Sequence, residues 1–178
     1  MTTIIQEGAK TLRLKAKKVP VKDITSKEIQ SVIKKMKTAL HKEHDGVAIA
    51  APQIDISLRI FVVAGNIFDD YFTRGKDMPE GYVTPHKDLV FINPEFTKIS
   101  KGKKWMKEGC LSVRPLYGEV KRSLNATVKA YDENGKSFER GAGGLLAHIF
   151  QHEIDHLDGI LFIDKARDIH KSNPPTEH

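Results

Sequence analysis

Gln151-His152-Glu153-Ile154-Asp155-His156 is the stretch from which the rest of the chain is read. It holds His-Glu-x-x-His inside an apolar run of Leu145, Leu146, Ile149, Phe150, Ile154 and Leu157, whose spacing predicts a largely buried helix over 145–157. Gly159 follows as a C′ glycine. On such a helix His152 and His156 lie one turn apart on one face, so both imidazoles can reach a single ion. Glu153 is offset by ~100° around the axis, beside the two ligands rather than among them, where it can hold a water and take its proton. Buried ionisable groups need partners, and a metal ion is the natural one here.

A third ligand must come from elsewhere. The chain contains one cysteine, Cys110, in Glu108-Gly109-Cys110-Leu111-Ser112, and one cysteine makes no internal disulfide. A thiolate with two imidazoles gives three protein ligands, the pattern of a catalytic site that keeps a position for water. His148, one turn before His152, is read as a polar residue on the helix flank, because a fourth protein ligand would displace the water. Glu108, Asp155 and Arg122 are candidates for orienting the ligands.

Outward from the helix, the pattern is α+β. Thr25-Ser26-Lys27-Glu28 reads as a capping box. Behind it, Ile29, Val32, Ile33, Met36 and Leu40 predict an N-terminal amphipathic helix over about 26–42. Residues 59–64 and 89–92 read as strands, the second ended by Asn93-Pro94. Leu124, Ala126, Val128 and Ala130 alternate with polar residues as a half-buried strand. Glu133-Asn134-Gly135-Lys136 supplies a hairpin turn to a returning strand over 137–140. Gly141-Ala142-Gly143-Gly144 reads as a flexible joint, 160–163 as a last strand, 65–88 as a surface excursion and 166–178 as a short frayed tail. The expected architecture is one domain over 1–178, with small antiparallel sheets packed around a central metal-binding helix.

The chain has 178 residues, 39% hydrophobic and 29% charged, which suits one globular core. No apolar run approaches the ~20 residues of a membrane span, and no secretory signal is visible. The expectation is a cytoplasmic protein with no membrane and no direct DNA partner. The net charge of +6 permits weak association with a ribosome surface. Lys98, Lys101, Lys103, Lys104 and Lys107 flank a single aromatic, Trp105, so the repeated aromatics of a single-strand-binding platform are missing. Lysines of this kind also guard an exposed strand edge.

With these residues in hand, the chain resembles the peptide deformylase family over roughly residues 5–165. Gly46-Val47-Ala48-Ile49-Ala50-Ala51-Pro52-Gln53 is similar to the family's first motif, Gly-x-Gly-x-Ala-Ala-x-Gln. The Cys110 and His152–His156 segments match the second and third, in order. The resemblance implies hydrolytic removal of the formyl group from the N-terminal formylmethionine of newly made polypeptides. It implies one divalent ion, ferrous iron with zinc, nickel or cobalt as alternatives, on Cys110, His152 and His156. Glu153 would serve as general base and acid. The Gln53 amide and the Leu111 backbone N–H would receive the oxyanion. Val47, Ala48, Met106, Leu145 and Ile149 would line the slot for the methionine side chain. The chain departs from the pattern at Ala48, where the motif has glycine, and over Arg114-Pro115-Leu116-Tyr117. Two other functions fit the motif less well: a metalloprotease cutting internal bonds, and a non-catalytic ribosome-binding member of the fold.

Overall fold

The structure, a computed structural model, describes residues 2–73 and 82–172. The N-terminal helix α1 spans Lys27–Leu40. Its cap is one residue later than the sequence suggests: Ser26, in extended backbone, accepts the Ile29 N–H at 3.3 Å. The residue three after this cap is therefore apolar Ile29, and no reciprocal Glu28 bond forms. Ser26→Ala is expected to cost about 1 kcal/mol of stability, read as a lower urea midpoint with unchanged slope.

Five antiparallel strands form the larger sheet: β1 (Ala48–Ala50), β2 (Ile60–Val63), β3 (Leu89–Ile99), β6 (Asn125–Tyr131) and β7 (Ser137–Gly143), in the order β1-β2-β3-β6-β7. Side chains alternate across a strand, so each strand supplies two cores. Ile49, Ile60, Val62, Val90 and Ile92 face α1 with Ile33, Met36 and Leu40. Ala48, Ala50, Phe61, Val63, Phe91, Val128 and Ala130 face the other way, onto Ala147, Ile149, Phe150, Ile154 and Leu157. Those last five belong to the C-terminal helix, spanning Gly144–Leu157. Between the two lies a short helix, α2 (Asp70–Thr73), so the C-terminal helix is α3. The smaller sheet has the order β4-β5-β8, with β4 (Lys103–Gly109), β5 (Leu116–Ser123) and β8 (Arg167–Lys171). Helix α3 touches strands of both sheets, β1, β2, β6 and β7 of one and β5 of the other. It is the central helix the motif called for.

Several expectations need correction. Strand β3 does not stop at Asn93-Pro94 but runs on to Ile99. Asn93 takes φ 53°, the register with β6 shifts between Ile92 and Glu95, and proline sits at that irregularity, where it need not donate. The Asn93 side chain fixes the bend by accepting from Val19 N at 2.8 Å and donating to Val19 O at 2.7 Å. The glycine segment is no loose joint: Asn125 pairs with Gly143 at the end of β7, and Gly144, at φ 56°, turns directly into α3.

Residues 160–163 are not a strand. Leu161 and Phe162 are buried in a third core with Leu12, Val113 and Val120, and Phe162–Asp164 is a 3-10 turn, closed by Asp164 Oδ2 accepting from Leu161 N at 2.9 Å. A short apolar run carries no period to separate these outcomes. The last strand is instead β8, inside the segment expected to fray. Its five residues are all exposed, so no alternation advertises it. It is held by backbone pairing to β5, by an Arg167–Glu119 ion pair at 2.8 Å and by the Arg167 guanidinium 3.8 Å from the Trp105 ring. Residues 173–178 and 74–81 lie outside the described residues. The start of the 65–88 excursion is a 3-10 turn, Gly65–Phe68, and then α2. As expected of the lysine run, β4 is an edge strand. No described helix is long and apolar enough to cross a membrane.

Candidate metal centre and cleft

The site forms where α3, the end of β4 and the segment after β1 meet. Cys110 follows β4 directly. Gly109 beside it is dictated by β5: the two strands pair Gly109 with Tyr117, and a Cβ at Gly109 would lie 2.5 Å from the tyrosine ring. Cys110 Sγ lies 3.1 Å from His156 Nε2. The ligand atoms of Cys110, His152 and His156 all fall within 4.8 Å of one another, the one such group of three among the described residues. The His152 and His156 rings meet edge to face at 4.9 Å.

A buried carboxylate orients this group. Glu108 Oε1 accepts from His152 Nδ1 at 2.5 Å and from the Arg122 terminal nitrogen at 2.7 Å. Its Oε2 accepts from Arg122 Nε at 3.0 Å and His148 Nε2 at 2.6 Å. Arg122 also reaches Asp155 at 2.6 Å, and Asp155 takes Lys165 at 2.7 Å. Burial works to raise the Glu108 pKa, but hydrogen bonds from His148, His152 and Arg122 outweigh it and hold the carboxyl far below the usual range. His152 is likewise opposed by burial yet raised by its bonds to Cys110 and Glu108. His156 is lowered by burial and by the neighbouring His152, which keeps it in the neutral form a metal ligand needs. Because Nδ1 of His152 is spent on Glu108, its Nε2 is the nitrogen left for an ion.

Glu153 is 3% exposed, and burial pushes its carboxyl up to about 7. Among the described residues its Oε2 has no hydrogen-bond partner, and neither has His156 Nδ1. A buried carboxylate oxygen without a partner next to a thiol and two imidazoles fits a centre that takes an ion and a water. On the opposite wall, Gln53 accepts the Ala50 N–H at 2.8 Å through Oε1. That bond aims its Nε2 at Ser112 Oγ, 3.1 Å away, and at Cys110 Sγ, 3.6 Å away.

Gln53, Glu108, Cys110, His148, His152 and Glu153 of these groups line a cleft of about 280 Å³. Val47, Ala48, Gln53, Cys110, Leu111, Leu145, Ile149, His152 and Glu153 of the sequence-derived set are on its wall. His156 lies behind the wall, 1% exposed, and Met106 is not on it either: it lies in β4 opposite Val120, while its neighbour Lys107 lines the cleft. Ala48 sits in β1, paired with Val63, and is not among the residues with positive φ, so the alanine in place of glycine costs no backbone strain.

Three features were not read from the sequence. Arg114 lines the cleft and is clamped by Glu43 at 2.8 Å and Asp45 at 2.5 Å, tying the cysteine loop to the segment after α1. Tyr117 lines the cleft as well. His148, expected on the flank, is buried and bonded to Glu108. The only sequence signal for His148 was its one-turn spacing from His152; for Arg114 there was none, since its partners are ~70 residues away.

A family model described as polypeptide deformylase matches residues 1–172. The peptide deformylase of Thermomicrobium roseum is 42% identical over 166 residues, covering 93% of this chain and 86% of that protein. That of Halothermothrix orenii is 42% identical over 159 residues, covering 89% of each. Among solved structures, the Acinetobacter baumannii class I type b peptide deformylase with Met-Ala-Ser bound superposes with a TM-score of 0.77 at 32% identity, covering 91% of this chain and 96% of that one. The Synechococcus elongatus enzyme in complex with actinonin gives 0.73 at 31%, covering 93% and 78%. With the metal-capable triad assembled and sequence and fold agreeing over nearly the whole length, the chain belongs to the polypeptide deformylase family and is an enzyme of that kind.

Proposed function

We propose that this chain, acting as one catalytic domain over 1–178 in the cytoplasm, removes the formyl group from N-terminal formylmethionine of newly made polypeptides. The observation that carries the reading is the assembly of Cys110, His152 and His156 around one point, with the partnerless Glu153 Oε2 beside them. The three residues would hold one divalent ion. A thiolate with two imidazoles accommodates ferrous iron, and zinc, nickel or cobalt as substitutes. When bound, that ion supplies Lewis acidity, making a water nucleophilic near neutral pH and polarising the formyl carbonyl.

The chain's own groups do the rest. Glu153 takes a proton from the attacking water and returns it to the departing amine. Gln53 Nε2 and the Leu111 backbone N–H donate to the oxygen on which negative charge develops. Val47, Ala48, Leu145 and Ile149 receive the methionine side chain. The Met-Ala-Ser peptide in the Acinetobacter baumannii relative supports a substrate that begins with methionine. Weak, salt-dependent association with the ribosome through the basic surface belongs to the same reading.

Anaerobic purification with metal analysis, paired with formate release from a formyl-methionyl tripeptide, tests the reading. About one ion per chain and stoichiometric formate are expected. Absence of both would overturn it, and cleavage of internal bonds in unformylated peptides without formate would overturn it in favour of a metalloprotease. Gln53→Ala is expected to lower kcat about 100-fold with metal content unchanged, the typical loss for one oxyanion donor. A kcat within a few-fold of the parent would remove Gln53 from that role.

A further inference from the structure

We infer that His148 is a positioning residue for the metal centre: from the wall of the substrate cleft it fixes the Glu108 carboxylate, and through that carboxylate the His152 ring. This rests on the ligand set proposed above. The Glu108 side chain is 3% exposed and accepts four hydrogen bonds, two on each oxygen. His152 and the Arg122 terminal nitrogen share Oε1; His148 and Arg122 Nε share Oε2. A terminal carboxylate torsion is broad and set by its partners rather than by its own rotamer wells. Arg122 binds both oxygens along one edge as a planar fork, and each oxygen takes a second bond from an imidazole, His152 on Oε1 and His148 on Oε2. The His148 bond is 2.6 Å and the competing Arg122 Nε bond to the same oxygen is 3.0 Å, so His148 is the closer anchor of Oε2. The orientation of Oε1 then sets the direction of the His152 Nδ1–H bond, and with it the plane of the ring whose other nitrogen faces Cys110 and His156.

His148 is not itself a ligand. Its Nε2 is committed to Glu108, and it falls outside the group of ligand atoms that converge within 4.8 Å. What distinguishes it from Arg122 is its place. It lines the cleft with Leu145 and Ile149, one helical turn along α3 from His152, with a side chain 9% exposed. A substrate side chain seated in that slot therefore packs against the ring that orients a metal ligand. Arg122, 4% exposed, is absent from the cleft wall and cannot report the slot's occupancy.

The test uses the metal-free full chain, titrated anaerobically with Co²⁺ and followed by its d–d bands and thiolate-to-cobalt charge-transfer band. His148→Leu removes the donor at similar volume. It is expected to weaken Co²⁺ binding about tenfold, the lower end of the loss for groups that orient ligands, and to alter the d–d spectrum. His148→Gln, whose side-chain amide can donate to the same oxygen, is expected to restore both affinity and spectrum. A merely structural residue would lower the unfolding midpoint of the metal-free chain without moving the spectrum. If His148→Leu does not fold, His148→Asn takes its place, being polar but too short to reach Glu108. A variant without the donor that binds Co²⁺ with parental affinity and spectrum overturns the inference, as does a glutamine variant no better than leucine. A parental chain with no charge-transfer band overturns the ligand set itself, and the role of His148 with it.

Discussion

Replacing Glu153 with alanine is expected to lower kcat for formyl-peptide hydrolysis by about 10²–10⁴-fold, the range supplied by a positioned general base. Glu153 lies one residue from His152 on α3 and three from His156, lines the cleft and keeps an oxygen that no group among the described residues satisfies. Metal content should not change, because Glu153 is not among the converging ligand atoms. Stability should hold or rise, since a buried polar oxygen without a partner costs free energy that alanine removes. The informative measurement is therefore a set of three on one preparation: formate release, bound metal and urea midpoint. Retained metal and midpoint with a collapsed kcat support the assignment. A kcat within tenfold of the parent would sink the base role, and undiminished biological function in the variant would point to a non-catalytic binding protein.

Arg122→Ala is the second large expectation, and its readout is stability. Arg122 is 4% exposed on its side chain and donates to both Glu108 oxygens and to Asp155. Truncation leaves a buried carboxylate with its charge uncompensated, which costs about 3–5 kcal/mol. Desolvation disfavours the Arg122 charge, but the bonds to Glu108 and Asp155 outweigh it and raise the guanidinium pKa further. A lysine keeps the charge but not the planar fork, so Arg122→Lys should recover only part of the loss. Equilibrium urea unfolding of the metal-free chain measures the difference without contribution from ion binding. A loss below about 1 kcal/mol would mean that Glu108 is neutralised or hydrated when Arg122 is gone.

The two expectations separate what the chain does from what holds it in place, and the sequence spoke unequally about them. The proposed catalytic group was legible because its members are close in sequence or chemically rare. His152, Glu153 and His156 lie within one and a half turns of helix, and Cys110 is the sole thiol in 178 residues. Gln53 and Leu111 came from motif resemblance, and both line the cleft. The two main helices and the hairpin at Asn134-Gly135 announced themselves through a 3.6-residue period and through turn chemistry, which are local signals.

What failed to show was non-local or lacked a period. Strand β8 has no buried face, so nothing in its composition marks it; the exposed edge of β5 decides that it pairs. The run 160–163 is apolar because it fills a core with Leu12 and Val120, and burial alone does not say strand or turn. Met106 was placed on the slot wall by resemblance, yet the cleft takes Lys107 from that strand instead.

By itself, then, the sequence singled out one thiol and two imidazoles as candidate ligands, the helix that carries the imidazoles, the carboxylate beside them and the α+β class. The tertiary structure alone decided how those ligands are aimed. Glu108, Arg122, His148 and Asp155 meet from two strands and one helix, and Arg114 finds Glu43 and Asp45 across the cleft. The physical reason is that a ligand is a property of one side chain, whereas its orientation is a property of the hydrogen bonds made to it in a desolvated space, and those partners are brought together only by the packing of the two sheets around α3.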